Sequence, residues 1–121
     1  MSKSVDRTTQ EVLEHHLYYL QNGFLDETLE DYCEDSVLIN MSGPKKGLKE
    51  IRAFFKESIA TCLPPQSTHE IIHQYIEGEI AYIVWKAESP FYSIPYGTDT
   101  FIVRKSKIMQ QTFAGVLNKK G

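Results

Sequence analysis

The sequence predicts an α+β domain built on an antiparallel sheet. Three observations carry this. Apolar residues recur at helical spacing through the first half of the chain. The second half alternates with a period of two and contains two hairpin signals. A series of hairpins preceded by helices is an α+β layout, because parallel sheets need a helix between successive strands. The chain has 121 residues. That is one domain, spanning residues 1–121, with a core large enough to stand without disulfide or metal support.

The elements follow in order. Thr8-Thr9-Gln10-Glu11 is a capping box, in which the Thr8 hydroxyl and the Glu11 carboxylate satisfy free amides at a helix start. Val12, Leu13, Leu17 and Leu20 form a helical stripe, with His16 and Tyr19 along its edge and His15 turned to solvent. Gly23 ends this helix as a left-handed cap. Asp26 caps a shorter helix running through Leu29 and Tyr32. Val37 to Met41 is a strand with apolar residues on both faces, so both faces are expected to be covered. Residues 43–47 read as a turn. A third helix carries Leu48, Ile51, Phe54, Phe55 and Ile59, and Pro64-Pro65 stops it. Thr68 to Ile76 and Glu79 to Glu88 read as strands joined at Glu77-Gly78. Gly97 to Arg104 and Lys107 to Val116 read as two more, joined at Lys105-Ser106. Residues 89–96 lie between the hairpins as an irregular segment carrying Phe91, Tyr92 and Tyr96.

Composition excludes several classes. A net charge of −3 and 41% hydrophobic residues suit a soluble globular protein. The basic stripe of a nucleic-acid binder is missing, and Lys3, Arg7, Lys119 and Lys120 read as solvated termini. No run approaches the roughly 18 apolar residues of a membrane span. Residues 1–10 are polar and lack the apolar stretch of a secretion signal. These features point to a cytoplasmic protein, in which Cys33 and Cys62 are reduced core thiols and a bridge between them is the lesser reading.

Three stretches resemble the nuclear transport factor 2-like superfamily, in particular its ketosteroid isomerase-like and SnoaL-like polyketide cyclase branch. They are Leu20 to Asp26, Tyr32 to Val37 and Gly47 to Phe55. Tyr96-Gly97-Thr98-Asp99-Thr100-Phe101 and Lys107-Ile108 complete the pattern, which covers nearly the whole chain. The resemblance implies three helices packed on a curved antiparallel sheet that forms a cone-shaped pocket. It leaves the reaction open, since the superfamily holds enzymes, binding proteins and association modules. Isomerases of this kind use an Asp base with an oxyanion hole of Tyr and a protonated Asp. Asp99 matches the protonated Asp. Asn40 stands at the position of the base and His16 at that of the Tyr. An amide cannot accept a substrate proton, so the resemblance implies the pocket and not the isomerase reaction in its known form.

Within that frame Asp99 and His16 are the candidate catalytic groups. Asp99 shares a strand face with Phe101 and Val103. Burial would keep its carboxyl protonated as a donor to a ligand carbonyl; the competing reading is an ordinary exposed carboxylate at a strand start. His16, if it faces Asp99, completes a His–carboxyl pair for acid–base work. Asn40, Tyr19 and Gln111 are expected to orient a ligand by hydrogen bonds. Phe54, Phe101 and Phe113 are expected to supply apolar wall. The family register turns Tyr82, Val84 and Lys86 inward, with Lys86 at the mouth. It turns Ile83, Trp85 and Ile102 outward, as an apolar patch suited to homodimerisation. His69 and His73 share a face in an unbroken strand, so one of them, taken as His73, lines the pocket. Four residues of strand separate them by roughly 13 Å, too far to chelate one ion. Neither a metal nor a cofactor is expected. Two readings of function survive. One is a cofactor-free acid–base isomerase, cyclase or dehydratase acting on a small apolar carbonyl compound. The other is a non-catalytic ligand-binding or association module.

Overall fold

The computed structural model describes residues 6–121. Lys3, expected in a solvated terminus, lies outside them. Three helices, α1 (Thr9–Gln21), α2 (Leu25–Leu29) and α3 (Gly47–Thr61), pack on a curved, open sheet. Its strands are β1 (Val37–Asn40), β2 (Gly43–Lys46), β3 (Thr68–Glu77), β4 (Ile80–Glu88), β5 (Tyr92–Arg104) and β6 (Lys107–Lys119). They lie in the order β2-β1-β6-β5-β4-β3, antiparallel throughout except for the β1–β6 pair.

The capping box forms at the start of α1: Glu11 N–H donates to the Thr8 hydroxyl at 3.1 Å, and Thr8 N–H donates to the Glu11 carboxylate at 2.9 Å. Gly23 follows the helix with φ +76° and sits against Pro65, whose ring a Cβ there would meet at 2.7 Å. The closing turn of the β5–β6 hairpin has two residues at positive φ, Lys105 (54°) and Ser106 (65°). Two such residues make the mirror-image turn whose twist matches the flanking strands.

Val12 and Leu13 of α1 and Ile51 and Phe55 of α3 meet Ala81, Ile83, Phe101 and Val103 of the sheet in one core. Bulges let the sheet curve around the helices. Register shifts occur between Ile71 and His73, between Trp85 and Ala87, and at two places in the β5–β6 ladder. Each bulge bends its strand and sharpens the local twist.

Four local expectations are corrected. Residues 43–46, read as turn, form edge strand β2, with the turn at Met41-Ser42. Pro44 is tolerated there because an edge strand can forgo a ladder donor. The segment read as irregular joins β5 from Tyr92, and Pro95 falls within the bulge between Ser93 and Tyr96. The N-cap of α2 is Phe24; Asp26 lies in the first turn and pairs with Arg52 at 2.6 Å. Arg7, read as a solvated terminus, reaches the fully buried side chain of Asp31 at 3.4 Å. Among the described residues no helix is long and apolar enough to cross a membrane.

Candidate functional site

Helices α1 and α3 and the inward faces of β3 to β6 enclose a cavity of about 370 Å³. Most of its wall is apolar, from Leu17, Leu20, Phe54, Ile71, Ile83 and Phe101. The polar groups converge on one carboxyl. Asp99 sits on the inward face of β5 between Gly97 and Phe101, all three buried. The Trp85 indole N–H donates to its Oδ1 at 2.7 Å. The Gln111 amide N–H donates to its Oδ2 at 2.8 Å. Further along, the Tyr32 hydroxyl donates to the Gln111 amide oxygen. His16 Nδ1 lies 3.4 Å from the same hydroxyl.

Desolvation pushes the Asp99 carboxyl up to about 6, against the two donors, which pull it down. Two donors facing one carboxyl suit the ionised form, since a carboxylate only accepts. At pH 7 the group is therefore mainly a carboxylate close to its titration point, whereas the sequence suggested a protonated donor. Burial drives His16 the other way, to about 3, so its imidazole is neutral at physiological pH. No hydrogen bond joins the two groups. Tyr32 and Gln111 stand between them, so the direct His–carboxyl pair suggested by the sequence is replaced by a relay of hydrogen bonds.

Trp85 is held by a close approach. Its ring lies over Gly97 on the neighbouring strand, where a Cβ would meet it at 2.7 Å. The Phe113 ring stacks on it with centroids 5.7 Å apart. Trp85 was expected on the outer face. The strand register is the reason for the difference. Ala81, Ile83, Trp85 and Ala87 face the helices, and a one-residue offset reverses every side chain on a strand.

Of the residues picked from sequence, Asp99, His16, Asn40, Phe54, Phe101, Gln111 and Phe113 line the cavity. The Asn40 side-chain oxygen is taken by Ser42 and by the Lys45 ammonium at 2.9 Å, which fixes it at the cavity edge. Four residues are corrected. Tyr82 and Lys86 lie on the outer face, where Lys86 pairs with Glu70 at 3.6 Å. His73 stacks on Tyr75 on that same face. The bulge at Ile72 separates it from His69, which is the histidine that lines the cavity. Tyr19 lies on another side of α1, its ring 4.5 Å from that of His15. His15, expected in solvent, bonds Asp31 at 2.8 Å. Burial raises the Asp31 carboxyl, and His15, Arg7 and Lys107 oppose the rise.

Sequence reasoning missed Tyr32, turned Trp85 outward and chose His73 over His69. The one legible signal was Gly97, an isolated glycine in an apolar strand, which marks close approach of another group. Cys62 also lines the cavity, and Cys33 and Cys62 are both free. Among the described residues no group of three or more potential ligands could hold a metal.

A curved sheet is closed on one side by three helices around an apolar cavity. The comparisons with known proteins agree on the fold. No protein-family model and no curated protein matches the sequence. Among solved structures the chain is similar to an NTF2-like protein of unknown function from Cytophaga hutchinsonii. That match has a TM-score of 0.75 at 10% identity and covers 96% of this chain and 95% of the other. A candidate ketosteroid isomerase from Kribbella flavida matches with a TM-score of 0.75 at 13% identity, over 93% and 81%. A candidate SnoaL-like polyketide cyclase from Shewanella denitrificans matches at 0.73 and 14%, over 89% and 90%. The chain therefore has the NTF2-like fold. Identities this low speak for the fold alone.

Proposed function

We propose that this chain is a cofactor-free acid–base enzyme of the isomerase, cyclase or dehydratase kind, acting on a small apolar carbonyl compound. One observation carries the reading: a carboxylate with a pKa of about 6 lies against an otherwise apolar cavity, oriented by Trp85 and Gln111. A base works best when its pKa lies near the working pH. Two of the four lone-pair positions of Asp99 are taken, which leaves capacity to accept a proton. In the simplest step Asp99 removes a proton from the carbon beside the ligand carbonyl. The electron pair moves into the carbonyl oxygen as an enolate. The same carboxyl then returns the proton to carbon. His16, neutral and at the cavity wall, is the group proposed to polarise the carbonyl, with Gln111 and Tyr32 holding the base in place.

The test follows α-proton exchange of enolisable ketones in deuterated buffer by NMR. Exchange catalysed by the wild-type protein and lost in Asp99→Asn is the expected result. A second reading, a binding module without turnover, is favoured by the fact that both Asp99 oxygens are already bonded within the protein. Ketones that bind without any catalysed exchange would establish that reading in place of the first.

The outer sheet face supports a further association with a second copy. Ile72 (40%), Tyr75 (62%), Ile80 (47%), Tyr96 (51%) and Val116 (50%) are exposed apolar residues on or beside it. Contiguous exposed apolar surface usually marks an interface. Sedimentation over a concentration series should show a dimer that Tyr75→Glu dissociates. A wild-type monomer at every concentration would remove this association. The unbridged cysteines suit a reducing, cytoplasmic setting.

A further inference from the structure

His69 is a polar group in the cavity that the chemistry above does not use. It lies on β3 opposite Ala87, which in turn pairs with Ile94 of β5 on the cavity wall. Its Nε2 is buried, and among the described residues no hydrogen-bond partner reaches it. Buried polar nitrogens are rarely left in this state, because each forfeits its hydrogen bond to water. Asp99 lies elsewhere on the same wall: it pairs with Ile83, four residues along β4 from Ala87, and belongs to the strand on the other side of β4. Four residues of strand correspond to roughly 13 Å. Ile71, Ile83 and Trp85 fill the wall between the two groups.

We propose that His69 is the second polar anchor of the cavity, binding an uncharged hydroxyl at the far end of an apolar ligand whose carbonyl end lies at Asp99. The inference rests on the carbonyl-compound reading and narrows it to ligands with two oxygen functions separated by an apolar body. A hydroxyl is the group that fits, since it both donates and accepts and so satisfies Nε2 in either imidazole tautomer. A carboxylate fits less well. Burial holds the His69 imidazole below its ordinary pKa, so it offers no positive charge at neutral pH.

The test uses two probes that differ only in that hydroxyl: acetylnaphthalene, and the hydroxy-acetylnaphthalene with its hydroxyl on the far ring. Affinities are measured by quenching of the single tryptophan, Trp85, which lines the cavity. In the wild-type protein the hydroxyl should tighten binding by about tenfold, the effect of one good buried hydrogen bond. His69→Leu should remove that gain, so that the two probes bind it alike, while His69→Gln, which keeps a donor and an acceptor, should retain part of it. Should His69→Leu fail to fold, nitrogen NMR of the wild-type imidazole decides instead, because only the hydroxylated probe should shift Nε2. An equal hydroxyl gain in wild type and His69→Leu, or an unmoved Nε2, would overturn the role of His69 and leave the cavity reading intact. Failure of both probes to bind would overturn the cavity reading and this inference with it.

Discussion

Asp99 and His16 make opposite demands on pH, and removing one exposes the other. Asp99 has a folded pKa of about 6, above its unfolded value of 3.8. The folded state therefore holds its proton more tightly, and this group adds stability as the pH falls through 6. His16 has a folded pKa of about 3, below its unfolded value of 6.5. The unfolded state binds that proton, and this group costs stability as the pH falls through 6.5. Between pH 7 and pH 5, linkage gives a gain of about 1 kcal/mol from Asp99 and a loss of about 2 kcal/mol from His16. The two contributions have opposite sign, so each partly conceals the other in the wild-type protein. Asp99→Asn should lose about 2 kcal/mol from the pair over the same interval, and His16→Leu should gain about 1 kcal/mol. Other titrating groups, among them Asp31 and His69, are common to all three proteins and cancel when the pH dependences are subtracted. Each substitution also carries a pH-independent cost. In Asp99→Asn an amide group must face the donors of Trp85 or Gln111, at about 1–2 kcal/mol. The assay is urea unfolding followed by Trp85 fluorescence at both pH values, with the slope against urea checked for constancy. If Asp99→Asn and wild type show the same change between pH 7 and pH 5, the carboxyl is not desolvated and the argument for a poised base fails.

Other outcomes follow from the same geometry. Trp85→Phe removes the donor to Asp99 Oδ1, so the carboxyl should titrate above its wild-type value in a carbon-detected NMR titration. Gly97→Ala places a Cβ 2.7 Å from the Trp85 ring and should cost about 1–3 kcal/mol in urea unfolding while disturbing the indole signal. Asp31→Ala strips the partner from His15 and Arg7 at a fully buried side chain, and should cost about 2–4 kcal/mol in thermal or urea unfolding. Lys105→Gly relieves a non-glycine residue at φ 54° in the β5–β6 turn, and should stabilise by about 0.5–1 kcal/mol, visible as a raised Tm.

Local signals in the sequence determined much of the fold. The capping box at Thr8 and Glu11, the glycine stop at Gly23, the apolar stripes of α1 and α3 and the Pro64-Pro65 stop all act within one or two turns of chain, and each has its counterpart in the structure. The two hairpins were legible from period-two alternation and their turn residues. Asp99 and Gln111 were reached through the resemblance to the ketosteroid isomerase-like pattern and its register, and alternation along the strand put Phe101 on the same face as Asp99.

Tertiary structure alone decided the rest, and the reason is register. On β4 both faces carry apolar residues, so alternation could not say whether Trp85 or Lys86 faced the helices. The packing of Trp85 over Gly97 and the outer pairing of Lys86 with Glu70 settle it. On β3 a bulge at Ile72 reverses the expected relation of His69 and His73, and no residue there announces a bulge. The protonation state of Asp99 depends first on its burial between sheet and helices and then on donors brought from β4 and β6 to one carboxyl, with Tyr32 joining through Gln111. Contacts between distant parts of the chain set that pKa, and composition and spacing along the sequence do not contain them.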